Sequence, residues 1–120
     1  KLVQESNSKI KFGFDTCCTP AILLHNSCVA PSSVEFCDAA RFSMYIDCSG
    51  DAYPCSFAKS EAKYAISVVN SRIIDAWQSK PFQLFRIQQR NACVGCRVYN
   101  QCLGGCALGA VNLCKKNLPE

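Results

Sequence analysis

The chain has 120 residues, a formal charge of +4 and eleven cysteines, with 49% of its residues apolar. That length makes one domain with room for a modest core. No run approaches the roughly 18 apolar residues of a membrane span, and the scattered positive charge, with only Lys115 and Lys116 adjacent, argues for a solvated surface over a nucleic-acid patch.

The N-terminal "KLVQESNSKIKFGF" lacks the continuous apolar region of a signal peptide and begins without Met, so a piece of something longer is expected. Lys9 to Phe14 alternates polar and apolar residues, which predicts a strand ending at Cys17 and Cys18. Pro20 suits the first turn of a short helix through "PAILLHN", and Ser27 to Ser33 is loop-like. In "RFSMYIDCSGDAYPCSF", Phe42, Met44 and Ile46 alternate with Ser43, Tyr45 and Asp47. Cys48 to Asp51 then supplies turn residues and Ala52 to Phe57 returns, which predicts a β-hairpin with Gly50 at positive φ. Pro54 predicts that this strand is an edge or carries a bulge. Asp47 and Asp51 read as turn formers.

The segment "NSRIIDAWQSKPFQLFRIQQR" predicts two helices. The first is capped by Asn70 or Ser71, with Ile73, Ile74 and Trp77 on one face; the second starts at Pro81 and sends Phe82 and Phe85 to the core. The final "GCALGAVNLCKKN" predicts a terminal helix whose basic end suits its dipole. No internal repeat or low-complexity tract interrupts this α+β pattern of short hairpins and helices.

Chemistry is concentrated in the cysteines. Cys37 is followed by twelve residues, Gly50, four residues and Cys55; later come Cys93-x2-Cys96-x5-Cys102-x3-Cys106 and, after seven more residues, Cys114. A Cys-x2-Cys loop lets two thiolates converge on one metal centre while the intervening amides point back at the sulfurs, a device of zinc and iron–sulfur sites alike. The odd cysteine count leaves at least one thiol unpaired within the chain, which weighs against a secreted disulfide scaffold. A structural zinc module with two sites of four cysteines, and a disulfide-rich domain, remain the alternatives.

The ordered set of seven cysteines and a glycine resembles the SPASM domain, the C-terminal auxiliary-cluster region of radical S-adenosylmethionine enzymes that mature peptides and proteins. "YIDCSGDAYPCSF" looks like that family's hairpin with a Pro-Cys end, "IIDAWQSKPFQLFR" like its Trp-bearing helix, and "CLGGC" like its Gly-Gly turn between two ligands. The resemblance implies a small α+β domain, residues 1–120, organised around two interleaved four-iron four-sulfur clusters. Cys37, Cys55 and Cys106 would ligate the first. Cys93, Cys96, Cys102 and Cys114 would ligate the second. The fourth ligand of the first cluster would come from upstream or from substrate: Cys17, Cys18 and Cys28 are open, and Cys17 is preferred because "GFDTC" resembles a Phe-Asp-Ser-Cys segment upstream in some family members.

The implied work is electron transfer to or from a radical centre and closure over a peptide or protein substrate, in the cytoplasm, with the parent's radical S-adenosylmethionine catalytic domain as partner and neither nucleic acid nor membrane involved. That catalytic chemistry needs a Cys-x3-Cys-x2-Cys loop, which leaves one iron open to the cofactor; the 120 residues contain none, since position 109 is Gly where Cys102-x3-Cys106 would have to continue. The catalytic barrel, and S-adenosylmethionine with it, is expected in a longer parent oxidoreductase. Arg97 and Lys115 would help set cluster potentials, and Gly104 and Gly105 would let the backbone approach the sulfides. Cys48 has no place in the pattern and reads as a surface thiol. His25 reads as a partly exposed helix residue.

Overall fold

The computed structural model describes residues 13–25, 29, 31–87, 93–108 and 114. Within them lies a three-stranded antiparallel sheet, order β1-β2-β3, built from β1 (Tyr45–Ile46), β2 (Asp51–Tyr53) and β3 (Ile66–Ser67). Tyr45 faces Tyr53 and Ile46 faces Ala52 in the hairpin, while Ala52 also pairs with Ile66 on β3. Four short helices accompany it: α1 (Thr19–His25), α2 (Ile73–Trp77), α3 (Lys80–Ile87) and α4 (Tyr99–Cys102). Tight 3-10 turns fill Pro31–Ser33, Ser56–Ser60 and Ala62–Tyr64. None of the described helices is long and apolar enough to cross a membrane.

The core forms where α3 packs against α2 and the Ala62–Tyr64 turn, with Ala52 and Tyr53 of β2 in the same cluster. Phe82 and Phe85, three residues apart, share one helix face and are 0% and 1% exposed. Tyr64 meets Phe85 edge-on at 5.2 Å, and Trp77 leans on Phe82 at 6.3 Å, both within the range where aromatic quadrupoles attract. Tyr53 and five alanines, Ala39, Ala40, Ala52, Ala58 and Ala76, complete the core, the small side chains letting backbone segments approach each other closely.

The hairpin turn follows its expected chemistry. Asp47 Oδ1 accepts from the Ser49 and Asp51 amides at 2.9 and 3.1 Å, and Lys59 Nζ pairs with Asp47 Oδ2 at 3.0 Å. Gly50 has φ +80, the left-handed region that a side chain disfavours. A Cβ there would also meet Val69 Cγ2 at 2.6 Å. Gly50 thus serves twice, as turn residue and as the point where the chain after β3 crosses the turn, with Val68 N–H donating to Gly50 O at 2.8 Å.

Several expectations need correction. β3 has no counterpart among the expected strands, and it makes β2 the central strand instead of an edge. Pro54 is tolerated because β2 ends at Tyr53, so its missing N–H removes no ladder bond. Phe42 and Phe57 lie outside the strands, in a turn and in the Ser56–Ser60 turn, 75% and 79% exposed. The cap of α2 is Arg72, not Asn70 or Ser71: its amide donates to Asp75 Oδ2 at 3.3 Å and its guanidinium to Asp75 Oδ1 at 2.8 Å. Because α2 is a single turn, it buries only Ala76 fully; Ile73 and Ile74 stay 56% and 45% exposed. Of the expected Lys9–Phe14 strand, residues 9–12 lie outside the described residues, and Phe14 forms one parallel bridge with Val34. Most of the expected terminal helix also lies outside them; Ala107 and Leu108 form a turn.

Candidate metal centre

Two turns bring Cys37 and Cys55 to the same corner. After Cys37 the chain folds over Asp38, whose backbone oxygen accepts from the Arg41 and Phe42 amides at 2.8 Å, while Ser43 Oγ donates to Asp38 Oδ2 at 2.9 Å. This forces Ala40 to φ 56. The Ala40 amide reaches both Ser43 O at 2.9 Å and Pro54 O at 3.1 Å, tying the Cys37 turn to the residue before Cys55. Burial pushes the Cys37 thiol above its ordinary range; the Ala39 N–H and the Arg41 guanidinium oppose this, and negative charge on Cys106 and Cys55 adds to it.

The second group is built around α4. The Cys96 amide donates to Cys93 O at 3.1 Å, closing a tight turn in which Gly95 has φ +67. The Tyr99 amide in turn donates to Cys96 O at 3.1 Å, so the loop feeds directly into α4 and delivers Cys102 at its last position. Cys93, Cys102 and Cys114 are buried, at 8%, 4% and 8% exposure. Burial is the main cause raising the Cys102 thiol; the Gly104 N–H lowers it, and Cys96, Cys93 and Cys114 raise it through their charge. Of these cysteines, Cys93, Cys102 and Cys114 are shielded from water and Cys96 is half-buried.

Between Cys102 and Cys106 the chain reverses through three consecutive left-handed residues, Leu103 at φ 49, Gly104 at φ 85 and Gly105 at φ 68. The reversal lets two cysteines four positions apart point in different directions; Cys106 is among the causes raising the Cys37 thiol, and Cys96, Cys93 and Cys114 are among those raising the Cys102 thiol. Gly104 also donates its amide to Cys102 Sγ at 3.4 Å, and a Cβ on Gly104 would stand 3.5 Å from Cys93 Sγ. Its backbone is thus close to two sulfurs of one group.

The remaining sequence candidates are dispersed. Cys17 Sγ lies 3.9 Å from Cys18 Sγ just before α1, and this neighbour is the first cause of the raised Cys18 thiol. The parallel bridge between Phe14 and Val34 is followed three residues later by Cys17 on one segment and Cys37 on the other. Cys28 and Lys115 lie outside the described residues. Cys48 and His25 are exposed. Arg97 Nη2 donates to Leu24 O at 3.0 Å, tying the cysteine loop to α1. None of the described cysteines is in a disulfide, and among the described residues no three Cys, His, Asp or Glu side chains converge tightly enough to hold a single metal ion. The contributions of the Ala39 amide and of Arg41 to the first group had no sequence signal, since both depend on the backbone path after Cys37.

Residues 37–103 match the SPASM family, described as an iron–sulfur cluster-binding domain. That span exceeds half of the 120 residues. The chain belongs to the SPASM family. It is also 35% identical over 80 residues to mycofactocin maturase MftC of Mycobacterium ulcerans (strain Agy99), an alignment covering 64% of this chain and 22% of that protein. The SPASM domain thus spans about a fifth of this relative's length. No solved structure matches it.

The donor chemistry of this SPASM domain fits its family's iron–sulfur clusters. Such clusters are held by cysteine thiolates and tuned by amide hydrogen bonds to sulfur and by exclusion of water. Both features are present: amides of Ala39 and Gly104 act on Cys37 and Cys102, and three of the four thiols around α4 are buried.

Proposed function

We propose that this SPASM domain holds two four-iron four-sulfur clusters with interleaved ligands. Cys37, Cys55 and Cys106 would hold one, with Cys17 as the fourth ligand; Cys93, Cys96, Cys102 and Cys114 would hold the other. The observation that carries this reading is the match of residues 37–103 to an iron–sulfur cluster-binding family, and the reversal through Leu103, Gly104 and Gly105 supports sending Cys102 and Cys106 to different clusters. The Phe14–Val34 bridge supports Cys17 over Cys18 and Cys28, because it carries Cys17 and Cys37 out of one paired point at equal spacing.

Bound clusters supply one-electron redox capacity. The domain's own residues would hold and shield them: Gly104 brings an amide to sulfur without a Cβ in the way, Cys93 and Cys96 sit on one tight turn, and burial of Cys93, Cys102 and Cys114 would keep water from the second cluster. We propose further that residues 1–120 are a single auxiliary domain of a longer radical S-adenosylmethionine oxidoreductase of the cytoplasm, passing electrons to or from the catalytic domain and contributing to the binding of a peptide substrate. The likeness to a maturase supports the peptide-modifying part of this reading.

The test is metal and sulfide analysis of anaerobically prepared, reconstituted protein. About eight irons and eight sulfides per chain, the content of two four-iron clusters, is the expected result. About two zincs with no iron would replace the proposal by a pair of structural zinc sites.

A further inference from the structure

Two arginines converge on the turn that follows Cys37. Arg41 Nη1 donates to Cys37 O at 3.2 Å and its Nη2 to Arg86 O at 2.9 Å. Arg86, from the last turn of α3, donates through Nε to Ala40 O and through Nη2 to Trp77 O at 2.7 Å, and its guanidinium lies 4.6 Å from the centre of the Trp77 ring. The two side chains thus grip both carbonyls of a turn whose central residue, Ala40, is fully buried in a left-handed conformation.

Both guanidinium groups are permanently charged, yet among the described residues neither meets a carboxylate; the ion pairs found are Lys59–Asp47, Lys63–Glu61 and Arg72–Asp75. Among the described residues, the side-chain hydrogen bonds of Arg41 and Arg86 go instead to backbone oxygens. Holding two half-buried cations in place through neutral carbonyls leaves their charge available to whatever turns anionic beside them. The group that does so is the thiolate formed when Cys37 binds metal.

We propose that Arg41, held in place by Arg86, is a positioning residue for Cys37 that also compensates the negative charge of the cluster ligated there. The proposal rests on the reading of Cys37 as a ligand. Adding an electron to a thiolate-bound cluster adds negative charge, so a fixed cation nearby favours the reduced form and raises the potential of that cluster relative to the one around α4.

The test compares Arg41→Gln, Arg41→Lys and Cys37→Ser in the full chain, reconstituted anaerobically and titrated potentiometrically with absorbance and electron paramagnetic resonance as readouts. Arg41→Gln removes the charge at similar reach, and one reduction wave should move to more negative potential while the other stays. A tenfold drop in the reduced-to-oxidised ratio at fixed potential is the expected scale, about 59 mV for a one-electron couple. Arg41→Lys keeps the charge and should recover most of the shift. If Arg41→Gln instead loses iron and Arg41→Lys keeps it, the requirement for charge is equally supported. Unchanged potentials at full iron content in Arg41→Gln, or the same loss in both arginine variants, would overturn the inference. Iron and both waves untouched in Cys37→Ser would overturn the ligand reading and this inference with it.

Discussion

Replacing Gly50 by Ala tests whether the hairpin turn is held by backbone conformation, by contact, or by both. At φ +80 an alanine is forced into the left-handed region, at about 1–2 kcal/mol. The new Cβ would lie 2.6 Å from Val69 Cγ2. Val69 is 64% exposed and can turn away into solvent, so the contact costs no more than a rotamer change, roughly 0.5–1.5 kcal/mol. The sum is about 2–3 kcal/mol, and for a chain of this size each kcal/mol lowers the thermal midpoint by about 4 °C. Far-UV circular dichroism of the loaded protein, scanned anaerobically at one rate, should therefore show a loss on the order of 10 °C. Adding Val69→Ala removes the contact but leaves φ unchanged, so about a third of the loss should return in the double-mutant cycle. A Gly50→Ala protein that melts with the parent, or full recovery on adding Val69→Ala, would refute the backbone part of the reasoning.

Other perturbations follow from the same structure. Phe82→Ala removes a fully buried ring from the centre of the core and should cost about 3–5 kcal/mol, read as a lowered midpoint in the same melts; a change under about 1 kcal/mol would mean that α3 does not pack as described. The Lys59 ammonium, followed by the Asp51 amide, holds the Asp47 carboxyl below the usual carboxylate range. A depressed folded-state pKa gives stability that is present above the unfolded-state value, near 3.9, and lost as pH falls through the folded-state value. Asp47→Asn should therefore narrow its stability gap from the parent as pH is lowered from about 6 to 3, and a gap that stays constant or widens in thermal melts would contradict the ion pair.

The parts of the fold that were legible in the sequence are those set by local chemistry. Asp47, Gly50 and the alternating residues beside them announce a hairpin because turn geometry admits few residue types, and Pro81 with Phe82 and Phe85 announces α3 through one helical spacing. The cysteine groups were legible because their spacing survives whatever the intervening chain does. Long-range partners were not. β3 is two residues long and is created by pairing with β2, so Ile66 and Ser67 carry no pattern of their own. Ile73 and Ile74 look like core but sit on a helix of one turn that buries only Ala76. The left-handed Ala40 and the Arg41–Arg86 grip depend on carbonyls supplied by residues up to 46 positions away, which no local rule signals.

The interleaving of Cys102 and Cys106 is the central claim, and iron content tests it most directly. Anaerobically reconstituted Cys37→Ser/Cys55→Ser protein should keep about four irons per chain, those of one four-iron cluster. Adding Cys106→Ser should remove few more, because all three residues would serve the same cluster, whereas adding Cys114→Ser should empty the other. Circular dichroism checks that each variant remains folded, since metal binding and folding are coupled. If the triple variant with Cys106→Ser loses its remaining iron while the fold survives, Cys106 belongs with Cys93, Cys96 and Cys102, and the interleaved assignment is contradicted.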